Sequence, residues 1–471
     1  MIPNRFFKNI SYNTFQLVIN QIFGFAIFYG LSKGLDKNIF GQINWTLAVL
    51  LTFFGILAMG IDQVMVKKIA AGYNRQSIFS IYAFHVMISG GCFYGILLLT
   101  SFCFPHTQYQ QSLLLFLGLG KLFIFISTPF KQLASGLEKF REFFLMSIAS
   151  NIIRGVSIII LLSLHKVSVP NILIIFLSGD FTELVLCFLI GRLLLPQNVF
   201  RLKWNRRRQI IITKESLPQT GVVLFTSIMS RFDWILVGLF ISATKLAEYS
   251  FAYKIFEVST LPLLIVAPIM IPLFTRLNKL SKNINELFFF VEWQIIVASL
   301  IALLLNICWV PVIDYISDGK YGKVNSGIIF LLSLSMPLLY FTNYMWTIHF
   351  TNGNLKYIFK IMAISFAINI LGCFILIPVY KNKGAATAYL ITILSQLFLY
   401  IRKKPMLISN TRIYFLVFWP LAAIGAGCIG IFFSTQIGTR VFTATIIYLI
   451  AVLVSKRVAV KNWKTLRSLY Q

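Results

Sequence analysis

Apolar residues run along this 471-residue chain in long unbroken stretches, separated by short polar segments. The stretches are about 20 residues long, the length a helix needs to cross roughly 30 Å of hydrocarbon. Alternation of apolar and polar positions, the mark of a membrane β-barrel, is not the pattern. The periodicity predicts an all-α polytopic membrane protein with about fourteen transmembrane helices. They fall near 10–31, 42–63, 77–104, 110–130, 143–165, 168–195, 215–241, 247–275, 287–313, 325–350, 357–379, 384–401, 412–434 and 438–456. The first run follows Arg5 and Lys8, is long for a signal-peptide core and lacks a small-residue cleavage site, so it reads as a retained helix.

Charge changes the picture by setting the orientation. Only 12% of residues are charged, yet the formal net charge is +28. In a soluble chain such an excess would point to nucleic acid. Here the basic residues sort by connection. The two termini and the loops after even-numbered helices hold 28 lysines and arginines, and the alternate loops hold 9. By the positive-inside rule both termini are cytoplasmic. The excess is then topology plus contact with anionic membrane lipids, and no nucleic-acid partner is expected. The densest patch, "RLKWNRRR" at Arg201–Arg208, reads as a basic cytoplasmic linker. It divides the chain into an N-terminal lobe of six helices (1–200), the linker (201–214), a second six-helix lobe (215–404), and two further helices with a basic tail (405–471). "KNIFGQINWTLA" and "TKLAEYSFAYKI" are a weak internal echo between the lobes. Two such lobes would enclose a central cavity.

Four segments resemble the polysaccharide transporter family, which includes the O-antigen flippases and belongs to a superfamily shared with lipid II flippases and multidrug and toxin extrusion proteins. They are Gly34–Ala70 with its Gly60-Ile61-Asp62 ending, "KQLASGLEKFREF" from Lys131, Arg231–Leu277 with its Tyr-Ser-x-Ala motif, and "INILGCFILIPVYKNKGAATAYLI" from Ile368. One departure is Ala247, where the family usually carries glycine. The resemblance implies export of an undecaprenyl-diphosphate-linked oligosaccharide, such as an O-antigen repeat unit, by alternating access. It implies a bacterial cytoplasmic (inner) membrane location and a polysaccharide polymerase and other assembly proteins as partners. It also implies that helices 13 and 14 border a groove for the lipid tail. The chain is expected to be a monomer without cofactor.

Charges inside the apolar runs are the candidate chemistry, because an ionisable group in hydrocarbon needs a partner or a function. Lys121, Arg154, Arg231 and Lys254 are deep cations; Asp180, Glu183, Asp233 and Glu257 are deep carboxylates. In an antiparallel hairpin, residues equidistant from the turn lie level. That geometry pairs Arg154 with Asp180, Arg231 with Glu257 and Asp233 with Lys254, and leaves Lys121 with no level partner except Glu183. Two readings follow: ion pairs that lock hairpins or couple transport to protons, or cations that bind a diphosphate, for which a guanidinium fork is suited. In a straight helix Arg231 and Asp233 point to different faces. Arg231 is then expected to face the cavity on a stripe with Thr220 and Ser227, while Asp233 braces the hairpin through Lys254.

Polar stripes add Asn13, Gln16 and Asn20 on helix 1, Ser147, Asn151 and Arg154 on helix 5, and Tyr340, Asn343 and Thr347 on helix 10. Asn20, Asn151, Tyr340 and Asn343 are the expected substrate contacts, with helix–helix glue as the other reading. Pro262, Pro268 and Pro272 should bend helix 8. The six cysteines form no C-x-x-C pair, so neither a disulfide framework nor a metal site is expected. No phosphate loop, zinc motif or nucleophile arrangement appears, and a membrane enzyme acting on the same lipid would need a D-x-D motif or a large exterior loop. The chain is therefore expected not to be an enzyme. The alternative function is a drug or cation exporter of the same fold, against which the four deep cations argue.

Overall fold

In the computed structural model, residues 4–103, 108–195, 206–263, 266, 270, 285–402, 414–434 and 436–455 are described. All their regular structure is helical. Eleven of these helices are long and apolar enough to cross a membrane, or twelve with one bent pair taken as a single span. The chain is a multi-pass membrane protein, as the apolar runs require.

Contacts divide the chain into two compact units, Ile2–Ala247 and Glu248–Gln471. The first holds α1 (Asn4–Gly34), α2 (Lys37–Leu57), α3 (Ile61–Ala70), α4 (Arg75–Cys103), α5 (Gln108–Gly136), α6 (Phe140–Ser163), α7 (Val169–Leu194), α8 (Arg206–Met229) and α9 (Phe232–Phe240). Helix α10 (Ala243–Ser259) carries the chain into the second, followed by α11 (Asn285–Ile316), α12 (Gly322–Thr351), α13 (Leu355–Arg402), α14 (Phe415–Phe433) and α15 (Ile437–Val454).

Two expected spans are broken. The second, expected over 42–63, ends at Leu57, and the chain restarts as α3 after Met59 and Gly60, both with positive φ (48° and 67°). Gly60 takes that conformation without a Cβ clash. A break in a helix frees backbone carbonyls that hydrocarbon cannot solvate. His85 Nε2 lies 2.8 Å from the Leu57 carbonyl, and Thr220 Oγ1 donates to the Met59 carbonyl at 2.8 Å. The seventh span, expected over 215–241, is α8 and α9, bent by 44° at Ser230–Arg231. Residues 206–214 of the basic segment are already helical in α8, whereas 201–205 lie outside the described residues. Helix α8 packs on α2 and α3, with Lys68 Nζ 2.7 Å from Glu215 Oε2. Trp45 Nε1 donates to the Ile235 carbonyl at 3.3 Å and ties α9 to α2.

The 48 residues of α13 are too long for one bilayer crossing at 1.5 Å per residue. The chain turns back at Lys381 (φ 52°, ψ −133°). Tyr357 then bonds the Leu399 carbonyl, and Asn369 Nδ2 donates to Thr392 Oγ1 at 3.2 Å, so the two arms lie antiparallel as the expected helices 11 and 12. Helix α10 ends at Ser259, and after a turn at Thr260 the chain is helical again over 261–263, across Pro262. Pro268 and Pro272 lie outside the described residues.

Lysine holds a conformation at 381 that favours glycine. Lys381→Gly should stabilise the α13 hairpin by about 1 kcal/mol, read as a higher thermal unfolding midpoint in detergent; an unchanged or lower midpoint contradicts the turn.

Candidate functional site

The densest set of intramembrane charges lies in the first unit, where α5 packs against α6 and α7. Asp180 on α7 is fully buried and is its centre. Arg154 on α6 pairs with Asp180 Oδ1, as hairpin geometry predicts. Ser150, one turn before Arg154, donates to the same oxygen at 2.8 Å. Lys121 on α5 brings Nζ to 4.0 Å from Asp180 Oδ2, which accepts no hydrogen bond from the described atoms. Lys121 is therefore not the unpaired cation the spacing suggested, and its ion-pair contact is Asp180.

Glu183, one turn along α7, is 3% exposed and pairs with Lys131. The sequence placed Lys131 in the loop after helix 4. Helix α5 instead continues to Gly136, carries Pro129 inside it, and buries most of the Lys131 side chain. No spacing from a single turn could reveal this pair, because α5 and α7 are not sequential neighbours.

Close packing of three helices makes the cluster possible. A Cβ at Gly120 would stand 2.6 Å from Asp180 Oδ2, and one at Gly179 would stand 2.9 Å from Arg154 Cγ. The Arg154 guanidinium also lies 5.0 Å from the Phe176 ring, where the π face favours a cation. Three basic and two acidic side chains, Lys121, Lys131 and Arg154 against Asp180 and Glu183, thus share one buried region with one positive charge in excess. Beside it, Asn151 Nδ2 donates to Asn20 Oδ1 at 3.0 Å, joining two expected substrate contacts across α6 and α1.

The other expected residues have contacts of their own. Arg231 sits at the α8–α9 break, 4.6 Å from the Trp234 ring centroid, with Nη1 donating to the Ser230 carbonyl at 3.2 Å. Its phase cannot be read from a continuous helix. The stripe assigned to it packs on α2: Thr220 bonds the Met59 carbonyl, and Ser227 lies against Gly55. Asp233 is buried in the first turn of α9, and its Oδ1 accepts the Trp234 backbone N–H at 2.9 Å. Lys254 Nζ lies 3.0 Å from Glu257 Oε2, three residues along α10. On α12, Tyr340 and Thr347 are packed inside the second unit, and Asn343 is half-buried.

Glu292 escaped the sequence reading. It lies inside α11 and accepts from Trp419 Nε1 of α14 at 3.1 Å. Tyr448 of α15 donates to the Ile296 carbonyl at 3.0 Å one turn on, so both C-terminal helices are fastened to α11. Between α11, α12 and α14 lies a cavity of about 430 Å³ walled by Leu303, Ile307, Phe330, Leu334, Ile424 and Ile431. Asn306 lines it and donates to Ser333 Oγ at 2.7 Å. Among the described residues no group of histidine, cysteine and carboxylate side chains is placed to hold a metal, and Cys92, Cys187, Cys308 and Cys428 are free thiols.

Breaking a buried charge pair leaves the partner uncompensated. Arg154→Ala and Asp180→Ala should each destabilise the protein by about 3 kcal/mol, and the double variant by clearly less than their sum. A double-mutant unfolding cycle measures this; additive losses contradict the pair.

The sequence profile of the polysaccharide biosynthesis protein family matches residues 6–278. The structure resembles a lipid II flippase, MurJ, in an inward closed conformation: TM-score 0.74, 15% identity, covering 96% of this chain and 99% of that one. It resembles an inward-facing multidrug resistance MATE transporter of the MOP superfamily, with TM-score 0.64, 12% identity and coverage of 87% and 98%. A MATE transporter from Vibrio cholerae gives 0.59, 13%, 84% and 96%. No curated protein matches the chain by sequence. The chain belongs to the polysaccharide biosynthesis protein family and has the fold shared by these flippases and transporters, none of which is an enzyme.

Proposed function

From membership of the polysaccharide biosynthesis protein family, we propose that this protein is a flippase for an undecaprenyl-diphosphate-linked oligosaccharide, an O-antigen or similar surface polysaccharide repeat unit. The observation that carries this reading is the excess of buried cation around Asp180. A diphosphate headgroup has to leave water to cross a bilayer, and fixed ammonium and guanidinium groups offset that loss with charge-assisted hydrogen bonds. An exporter of organic cations needs the opposite sign.

Lys121 is the group best arranged for the role. Its Nζ stands 4.0 Å from Asp180, longer than a hydrogen bond, so a phosphate oxygen can compete for it. Arg154 already bonds Asp180 and holds the carboxylate in place. Asn20 and Asn151 offer amides to sugar hydroxyls beside the headgroup. Arg231, Lys254, Asn343 and Tyr340 are assigned as further contacts, and Asp233, Glu257, Asp180 and Glu183 as the carboxylates that brace the cations or exchange protons with them. The apolar cavity bounded by α14 suits a stretch of polyprenyl tail. Lobes at 1–200 and 215–404 would rock about the linker at 201–214, with 405–471 bordering the tail. The protein would work as a monomer in the cytoplasmic membrane, both termini inside, handing its product to a polymerase.

The test is flipping of an undecaprenyl-diphosphate-linked disaccharide in proteoliposomes. Wild-type protein should move it, and Lys121→Gln should slow it at least about tenfold, an energy of about 1.4 kcal/mol, with the unfolding midpoint retained. Unchanged flipping by Lys121→Gln, or transport of an organic cation in place of the lipid, overturns the reading.

A further inference from the structure

The second unit holds a group of aromatic rings that the headgroup reading does not use. On α10, Tyr249, Tyr253 and Phe256 follow one another at four- and three-residue spacing, so they share a face. Tyr389, on the second arm of α13, meets them edge-on, its centroid 6.0 Å from Tyr253 and 5.9 Å from Phe256. The rear rings are packed away: Tyr249 is 0% and Phe256 2% exposed. The front rings, Tyr253 and Tyr389, are only half-buried. Packing at 80° fixes their orientation.

The face of α10 beside the rings carries the Lys254–Glu257 pair, whose side chains keep 15% and 28% of their surface. A charged pair that retains surface within an apolar span does not turn it to lipid; it faces water or a polar ligand. Glu257 lies one turn from Tyr253. The front tyrosines therefore border a wet face.

Held aromatic rings with a carboxylate and an ammonium at their edge match one ligand chemistry well. A pyranose has an apolar face of C–H bonds and a rim of hydroxyls. A tyrosine ring covers the face, a carboxylate accepts from hydroxyls, and an ammonium donates to their oxygens. We infer that Tyr253 and Tyr389, flanked by Lys254 and Glu257, form a carbohydrate subsite in the second unit that takes a sugar ring of the substrate. This rests on the proposed lipid-linked saccharide and adds to it the residues that take one of its sugar rings.

The test compares equilibrium binding of two probes, undecaprenyl diphosphate and undecaprenyl-diphosphate-N-acetylglucosamine, to the full-length protein in lipid nanodiscs. Wild-type protein should bind the sugar-bearing lipid about tenfold tighter. Tyr389→Leu and Tyr253→Leu, which keep apolar volume and lose the ring, should bring the ratio near one, and Tyr389→Trp should keep it. A preference that survives both leucine variants, or a wild-type protein that binds both lipids equally, overturns the subsite and leaves the flippase reading standing. A wild-type protein that binds neither lipid overturns both. Should Tyr389→Leu lose both lipids through misfolding, Tyr253→Leu decides.

Discussion

A carboxylate with no exposed surface, in the middle of an apolar bundle, constrains everything around it. Asp180 cannot be solvated by water, so protein must supply the donors. It does so from α6, with Arg154 and Ser150, while Lys121 on α5 places its ammonium 4.0 Å away. Removing Arg154 would leave that charge uncompensated, and the contacts around it fix how α5, α6 and α7 approach one another. Glycines at 120 and 179 give that approach room. The cluster is structural and chemical at once. The pairs that hold three helices together also leave one cation in excess, and that excess is what an anionic headgroup could use.

The backbone obeys the same rule. Where α2 gives way to α3, the freed carbonyls of Leu57 and Met59 find His85 and Thr220. Where α8 gives way to α9, Arg231 turns its guanidinium to the carbonyl beside it and to the Trp234 ring. Where α13 folds back at Lys381, hydrogen bonds across its arms hold the hairpin. Irregular backbone at membrane depth survives only where protein satisfies it.

Much of this was legible in the chain. Continuous apolar runs announced helices. Equal distance from the α6–α7 turn was enough to pair Arg154 with Asp180, because adjacent antiparallel helices share a ruler. The same method failed for Lys131 and Glu183, which meet across α5 and α7 with α6 between them in sequence. It failed for Arg231 in another way. The stripe containing Thr220 and Ser227 was real, but it packs against α2, and the helix breaks before reaching Arg231. Positive φ at Met59 left no hydropathy signal, since a turn of one or two residues barely interrupts an apolar average, whereas the turn at Lys381 falls between the expected helices 11 and 12. Glu292 hid for a related reason: one carboxylate in an apolar run looks like a helix end until its partner, Trp419, is found far along the chain.

The central claim is that the charge around Asp180 serves the diphosphate of a lipid. The most direct measurement is calorimetric binding of undecaprenyl diphosphate against uncharged undecaprenol, with identical tails, to the wild-type protein in nanodiscs. The account predicts that the diphosphate binds at least about a hundredfold tighter, a difference of about 2.7 kcal/mol, and that added salt narrows the gap. Equal affinity for the two lipids would contradict it and leave the cluster as a brace between helices.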